Sequence, residues 1–317
     1  MTSVPIKQAT IDDFPRPAVS ALSAVPFEGL ETRPWYDRMI STSHADISVR
    51  QTTGKKLPIL LLHGGGLCKE AFDRQLESSL GAQYRMIAID LPGHGLSSDA
   101  FDPDRTYRIE GLADLALEVL ERLDIDDAVV VGASLGGWVG LQMIQTFPGL
   151  VGLALTGTPL GDPALPSRAP ELPEFELLSE NAPTDDQIDA FLRLSLGDLA
   201  GAPFARAVKR TDARAMNLIR RDISSNAYEF WPAEAGASTT PIMVVNGANG
   251  AAADAGDAVA AQSGARPART HYGIPHAGLA PFLGVPMVYN HLLEQFMERM
   301  ARRQRELLAS PALWYGG

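Results

Sequence analysis

The stretch DAVVVGASLGGWVGLQMIQTF, residues 127–147, leaves a chain little freedom. The run Val129–Val131 reads as a strand buried on both faces, and the apolar residues after Leu135 continue as a helix. Only Gly132-Ala133-Ser134-Leu135-Gly136 separates them, so the strand must turn sharply into the helix. Parallel strands need crossover helices, and this junction is one half of such a unit. Neighbouring segments repeat the form. LPILLLHGGG (57–66) and YRMIAIDLPGHG (84–95) are apolar runs halted by glycine turns, and ADISVRQ (45–51) alternates like a half-exposed strand. LVGLALTGTP (150–159) and TTPIMVVNGANG (239–250) read as further strands, and IEGLADLALEVLERLDI (109–125) has leucines at helical spacing. The expected class is α/β: a doubly wound, mostly parallel sheet whose ligands sit at the carboxyl ends of the strands.

Residues 161–235 break the alternation and read as an inserted helical cap. Within them TDDQIDAFLRLSL (184–196) opens with a Thr-x-x-Gln capping box, and PFARAVKRTDARAMNLIRRDI (203–223) reads as one further helical stretch. The chain therefore divides into an arm (1–40), rich in proline and aperiodic, a first core part (41–160), the cap (161–235), a second core part (236–300) and a tail (301–317). The closing LLEQFMERMARRQRELL (292–308) is a helix, basic on one face, and that face reads as solvated. The chain of 317 residues is 45% apolar, enough for a large core, and its formal charge of −11 argues against nucleic acid or an anionic membrane surface as partner. A single cysteine, Cys68, allows no intrachain disulfide, and no apolar run approaches a membrane span, so a soluble cytoplasmic protein is expected. The N-terminus lacks the apolar core of a signal peptide. Oligomeric state is left open.

Gly132–Gly136 matches Gly-x-Ser-x-Gly, and its place between strand and helix gives the match its weight. There Ser134 would present its hydroxyl at a helix N-terminus, where a developing anion is favoured. His63-Gly64-Gly65-Gly66 follows another strand, and its unobstructed backbone N–H groups could point at a tetrahedral oxygen, with the Leu135 N–H completing an oxyanion hole. No Gly-Lys-Ser/Thr follows, as a phosphate-binding loop would require. His63 and His94 read as structural residues of their turns, Cys68 as a small buried hydrophobe, and Trp138 as core. Six scattered histidines form no metal constellation and no dinucleotide fingerprint is in place, so no cofactor is expected.

LLHGGG, AIDLPGHGLSSDAFDPDRTY, VVVGASLGGWVGLQM, LTGTP, VVNG and AGLAPF occur in an order and spacing that resembles the α/β-hydrolase superfamily. The resemblance is nearest to the branch of N-acyl-homoserine lactonases and related small-molecule esterases, from about Thr42 to Phe296. It implies Ser134 as nucleophile and Gly65 with Leu135 as oxyanion donors. It also marks two departures. Leu279 stands in AGLAPF where the family has its general-base histidine, and Gly250, three residues after Gly247, stands where the family has its acid.

Three readings stay open. In the first, the degenerate triad leaves an enzyme that acts on a small, largely apolar carbonyl-bearing metabolite by cyclisation, elimination, isomerisation or C–C cleavage, in a biosynthetic or tailoring pathway. In the second, a serine esterase or lactonase uses Ser134 with His276 as displaced base and Asp254 or Asp162 as displaced acid. In the third, the pocket binds a ligand without catalysis. The partner in each is a small molecule.

Overall fold

The computed structural model describes residues 34–158, 178, 183–199, 201–225, 239–247, 269–275 and 277–309. Eight strands form one sheet: β1 (Trp35–Ser41), β2 (Asp46–Thr52), β3 (Lys56–Leu62), β4 (Tyr84–Ile89), β5 (Ala128–Ala133), β6 (Leu150–Thr156), β7 (Ile242–Gly247) and β8 (Arg269–Ile274). Their order across the sheet is β1-β2-β4-β3-β5-β6-β7-β8. β1 and β2 are antiparallel to their neighbours, and all pairs from β4 to β8 are parallel. The α/β class expected from the alternation of elements is what the chain adopts.

The chain steps from β3 outward to β4, then returns past β3 to β5. That reversal opens a crevice at the carboxyl ends of β3 and β5, the usual ligand position in such sheets. Leu62 of β3 is paired with Gly132 of β5, so the glycine loop after one strand and Ser134 after the other emerge side by side. Every residue of β5 is buried, as a central parallel strand covered on both faces requires. Helices α1 (Ile109–Arg122) and α2 (Leu135–Thr146) pack against each other, and Trp138 of α2 joins the apolar core at 4% exposure.

Between β6 and β7 in the sequence lie α3 (Asp185–Leu196), α4 (Ala202–Arg210) and α5 (Ala213–Ser225). The α3 capping box forms as expected: Thr184 Oγ1 accepts from Gln187 N–H and Gln187 Oε1 accepts from Thr184 N–H. The stretch 203–223, in contrast, is two helices. Thr211 and Asp212 interrupt it, because the Asp212 N–H leaves the helical ladder to donate to Gly93 O at 2.8 Å. The closing helix α6 (Pro286–Ala309) starts earlier than its leucine pattern suggests.

β1 lies inside the segment read as a surface arm, which therefore gives way to the sheet at Trp35. Its hold is electrostatic as well as hydrogen-bonded. Arg50 of β2 grips Asp37 through Nε and Nη2 at 2.8 and 2.9 Å, reaches Asp73 at 2.7 Å, and stacks 3.5 Å over the Trp35 ring. Among the described residues no helix is long and apolar enough to cross a membrane.

The close approach of α2 to β3 is a stringent feature of this packing. A Cβ added to Gly136 would run into the Leu62 carbonyl, whereas one on Gly278 would meet nothing within 4 Å. We expect Gly136→Ala to cost about 1–3 kcal/mol in urea unfolding or to prevent folding. Gly278→Ala should leave the midpoint unchanged.

Candidate active site

Ser134 sits at φ 46°, ψ −110°, and the only other non-glycine residue with positive φ among those described is Asp124. Such a conformation costs on the order of 1–3 kcal/mol and persists only when its surroundings over-determine it. They do so here. Ser134 N–H donates to Thr156 O at 2.9 Å, and Ser134 O accepts from Gly137 N–H at 3.0 Å and Thr158 Oγ1 at 3.3 Å. Gly136 N–H donates to His63 O at 3.1 Å, tying the elbow to the glycine loop. Gly64 is the residue beside the serine: its Cβ, if it had one, would lie 3.4 Å from Ser134 Cβ. The hydroxyl is partly exposed, and Ser134 Oγ makes no hydrogen bond among the described residues.

The two backbone groups expected to form an oxyanion hole both lack an acceptor among the described residues. Gly65 lies buried in the turn closed by Leu67 N–H to Gly64 O, and Leu135 is the first residue of α2, where an N–H has no partner within the helix. Neither N–H donates to a described residue. Gly66, at φ +73°, turns the loop against the inserted helices: a Cβ there would come within 2.6 Å of Leu178 Cδ1 and 2.9 Å of Phe191 Cζ. The glycine loop is thus roofed by apolar side chains of the insertion.

A buried ion pair that the sequence did not disclose holds this loop in place. Lys69 and Asp90 are both fully buried. Asp90 accepts from Lys69 Nζ and from Lys69 N–H at 2.7 Å each, and from Leu96 N–H at 2.9 Å. The opposed charges raise the Lys69 pKa despite the desolvation that works against it. Lys69 therefore faces Asp90 rather than activating Cys68, whose thiol is pushed well up by burial and the neighbouring Glu70 carboxylate. Cys68 is a free, buried side chain, as its type suggested.

His63 and His94 are also buried, with ring centroids 5.2 Å apart. His63 Nδ1–H donates to Gly64 O at 2.8 Å while Nε2 accepts from Leu91 N–H at 3.0 Å, so the ring is neutral and bridges the two loops. Burial pulls its pKa down to about 4. His94 donates from Nδ1 to Pro92 O at 2.9 Å, its Nε2 has no partner among the described residues, and burial pulls it down to about 3. His271 is half-buried in β8, opposite Val244.

Leu279 follows β8 in the loop that crosses the end of β7. The carbonyls of Ala277 and Gly278 pass over Gly247 at the end of β7, and Leu279 O would lie 3.2 Å from a Cβ on Gly157. Gly157 N–H is held by Asn246 Oδ1 at 2.9 Å, and the next residue, Thr158, is the one bonded to Ser134 O. So an apolar side chain, 37% exposed, occupies this loop two short steps from the elbow. Thr158 of LTGTP and Asn246 of VVNG were not singled out in the sequence, because their partners, Ser134 O and Gly157 N–H, lie in other segments of the chain. His276, Gly250, Asp254 and Asp162 lie outside the described residues. Among the described residues no group of three or more His, Cys, Asp or Glu side chains could hold a metal ion.

The profile of the Alpha/beta hydrolase family matches residues 59–293. A crystal structure of the N-acyl homoserine lactonase AidH complexed with N-butanoyl homoserine superposes with a TM-score of 0.75 at 33% identity, covering 84% of this chain and 97% of that one. Among curated proteins, the magnesium-chelatase 30 kDa subunit of Rhodobacter capsulatus is 30% identical over 132 residues, 37% of this chain and 45% of its own length. The (E)-2-((N-methylformamido)methylene)succinate hydrolase of Acinetobacter baylyi is 32% identical over 98 residues, 31% of this chain and 36% of its own length. The chain thus spans less than half the length of these curated relatives.

Two outcomes test the site's electrostatics. Lys69→Met leaves Asp90 buried and unpaired, and should cost about 3–5 kcal/mol in chemical denaturation. The buried histidines take up protons only on unfolding. Their stabilisation is complete above the unfolded pKa of about 6.5 and is lost as pH falls toward the folded values. The urea midpoint should therefore drop between about pH 6.5 and pH 4, less steeply in His94→Leu than in the parent.

Proposed function

Because the chain belongs to the α/β-hydrolase family, we propose that it is an enzyme of this fold acting on a small, largely apolar carbonyl compound by a route other than triad hydrolysis. The observation that carries this reading is the pairing of an intact, strained elbow with an apolar residue in the base loop. Ser134 Oγ–H and the Gly65 and Leu135 N–H groups converge as donors on one carbonyl oxygen, which they polarise without deprotonating the serine. Each such donor is worth about a hundred- to a thousandfold in rate where charge develops on oxygen. Loss of a triad member, by contrast, removes about four to six orders of magnitude from hydrolysis. What remains favours a reaction in which the substrate supplies its own nucleophile or leaving group: cyclisation, elimination, isomerisation or C–C cleavage. The apolar roof of Leu178 and Phe191 supports an apolar substituent, and a role in a biosynthetic or tailoring pathway follows from such chemistry.

The likeness to a lactonase complexed with N-butanoyl homoserine favours a second reading, an esterase or lactonase using Ser134 with His276 and with Asp254 or Asp162. A ligand-binding protein without catalysis is the third.

Intact mass after exposure to a fluorophosphonate separates them. The first reading expects no adduct on the folded parent, and an adduct at Ser134 in the doubly restored Leu279→His, Gly250→Glu chain. An adduct on the parent that vanishes in Ser134→Ala and in His276→Ala establishes the esterase. The ligand-binding reading expects substrate bound without turnover, with affinity unchanged in Ser134→Ala.

A further inference from the structure

On the outer face of α1, away from the elbow, a cleft of about 670 Å³ runs from His44 and Arg105 at one end to Phe147, Pro148 and Gly149 at the other. Its floor is apolar: Leu117 and Phe147 are half-exposed along it, and Leu120 and Ile125 lie beneath. Its rim is acidic. Asp114, Glu121 and Asp126 line it with exposed carboxylates that have no cationic partner among the described residues. The fourth rim carboxylate, Glu118, is engaged by Ser43 N–H and Arg122.

The complementary feature lies on the same chain. Arg302, Arg303 and Arg305 crowd the last turns of α6 against one carboxylate, Glu306, in a protein of formal charge −11. None of them has an ion-pair partner among the described residues. This helix end and the cleft meet at the amino end of β5, because Gln304 Nε2 donates to Asp127 Oδ2 at 2.9 Å, one residue from Asp126 on the rim. The two patches adjoin but do not satisfy each other.

We propose that a second copy of this chain is the partner: each copy lays the arginine-rich end of its α6 into the acidic-rimmed α1 cleft of the other. A twofold axis requires both complementary patches on one side of the molecule, and the Gln304–Asp127 contact supplies that proximity. Leu117 and Phe147 give the contact an apolar centre, and the charges around it set register.

Sedimentation velocity on the full chain tests this at about 0.05 M and about 1 M salt, across which screening shortens from beyond 10 Å to about 3 Å. The expected result is a dimer whose dissociation constant weakens at least tenfold in high salt. The same loss is expected for Arg302→Glu with Arg303→Glu and, separately, for Glu121→Lys with Asp126→Lys, each retaining the parent's thermal midpoint. Mixing the two charge-reversed chains should rebuild a salt-sensitive heterodimer. A monomer at every concentration and salt would overturn the proposal, as would a dimer indifferent to both reversals, which would place the contact elsewhere. A monomer that instead binds other proteins through the cleft would also overturn it.

Discussion

The Asp90 carboxylate is the point on which the crevice depends. One oxygen holds the backbone of Lys69 and the other holds its ammonium together with the Leu96 N–H. The turn after β4 and the exit of the glycine loop after β3 are thereby fixed to a single buried group. Taking two charges out of water is costly, and a pair like this gains little over a well-packed apolar alternative. What it gives is position. With Lys69 anchored, the loop from His63 to Gly66 has one course, and the His63 ring fills the space between that loop and Leu91.

From that fixed course the elbow follows. The strain at Ser134 is borne by hydrogen bonds that reach it from three sides: β6 through Thr156 and Thr158, α2 through Gly137, and the glycine loop through His63 to Gly136. The inserted helices then dock on the same turns. Arg210 donates to Ser97 O, Tyr107 Oη to Asp212 and Ile109 N–H to Asp222. α5 and its entry are therefore pinned by polar contacts, whereas α3 meets the glycine loop through the apolar Phe191.

How far the sequence disclosed this depends on whether the signal was local. The parallel strands β3 to β7 were legible because each is a short apolar run stopped by glycine, whereas β8, RTHYGI, was not; Thr184 with Gln187 was legible because a capping box is complete within four residues. β1 was hidden: WYDRMIS lacks clean alternation, and its hold on the sheet comes from Arg50, in another strand. The break at Thr211 and Asp212 was hidden because helical periodicity runs through both halves, while the interrupting acceptor, Gly93 O, lies far off in sequence. Lys69 shows the limit of adjacency. Its ion-pair partner, Asp90, is 21 residues away.

The energetic asymmetry of the site argues for a retained use. An elbow serving only as a tight βα turn would relax by placing glycine at position 134, at no cost to chain direction and with relief of the positive φ. This chain keeps a serine there, together with glycines that let α2 approach β3 and two N–H groups, of Gly65 and Leu135, that have no acceptor among the described residues. On the proposed reading the serine and the two N–H groups would act on a bound oxygen. Leucine at 279, on the same reading, would remove only a proton acceptor. On the proposed reading, a site with leucine in place of its base would give up making an alkoxide but not polarising a carbonyl, and the strain at Ser134 would still serve that remaining capacity.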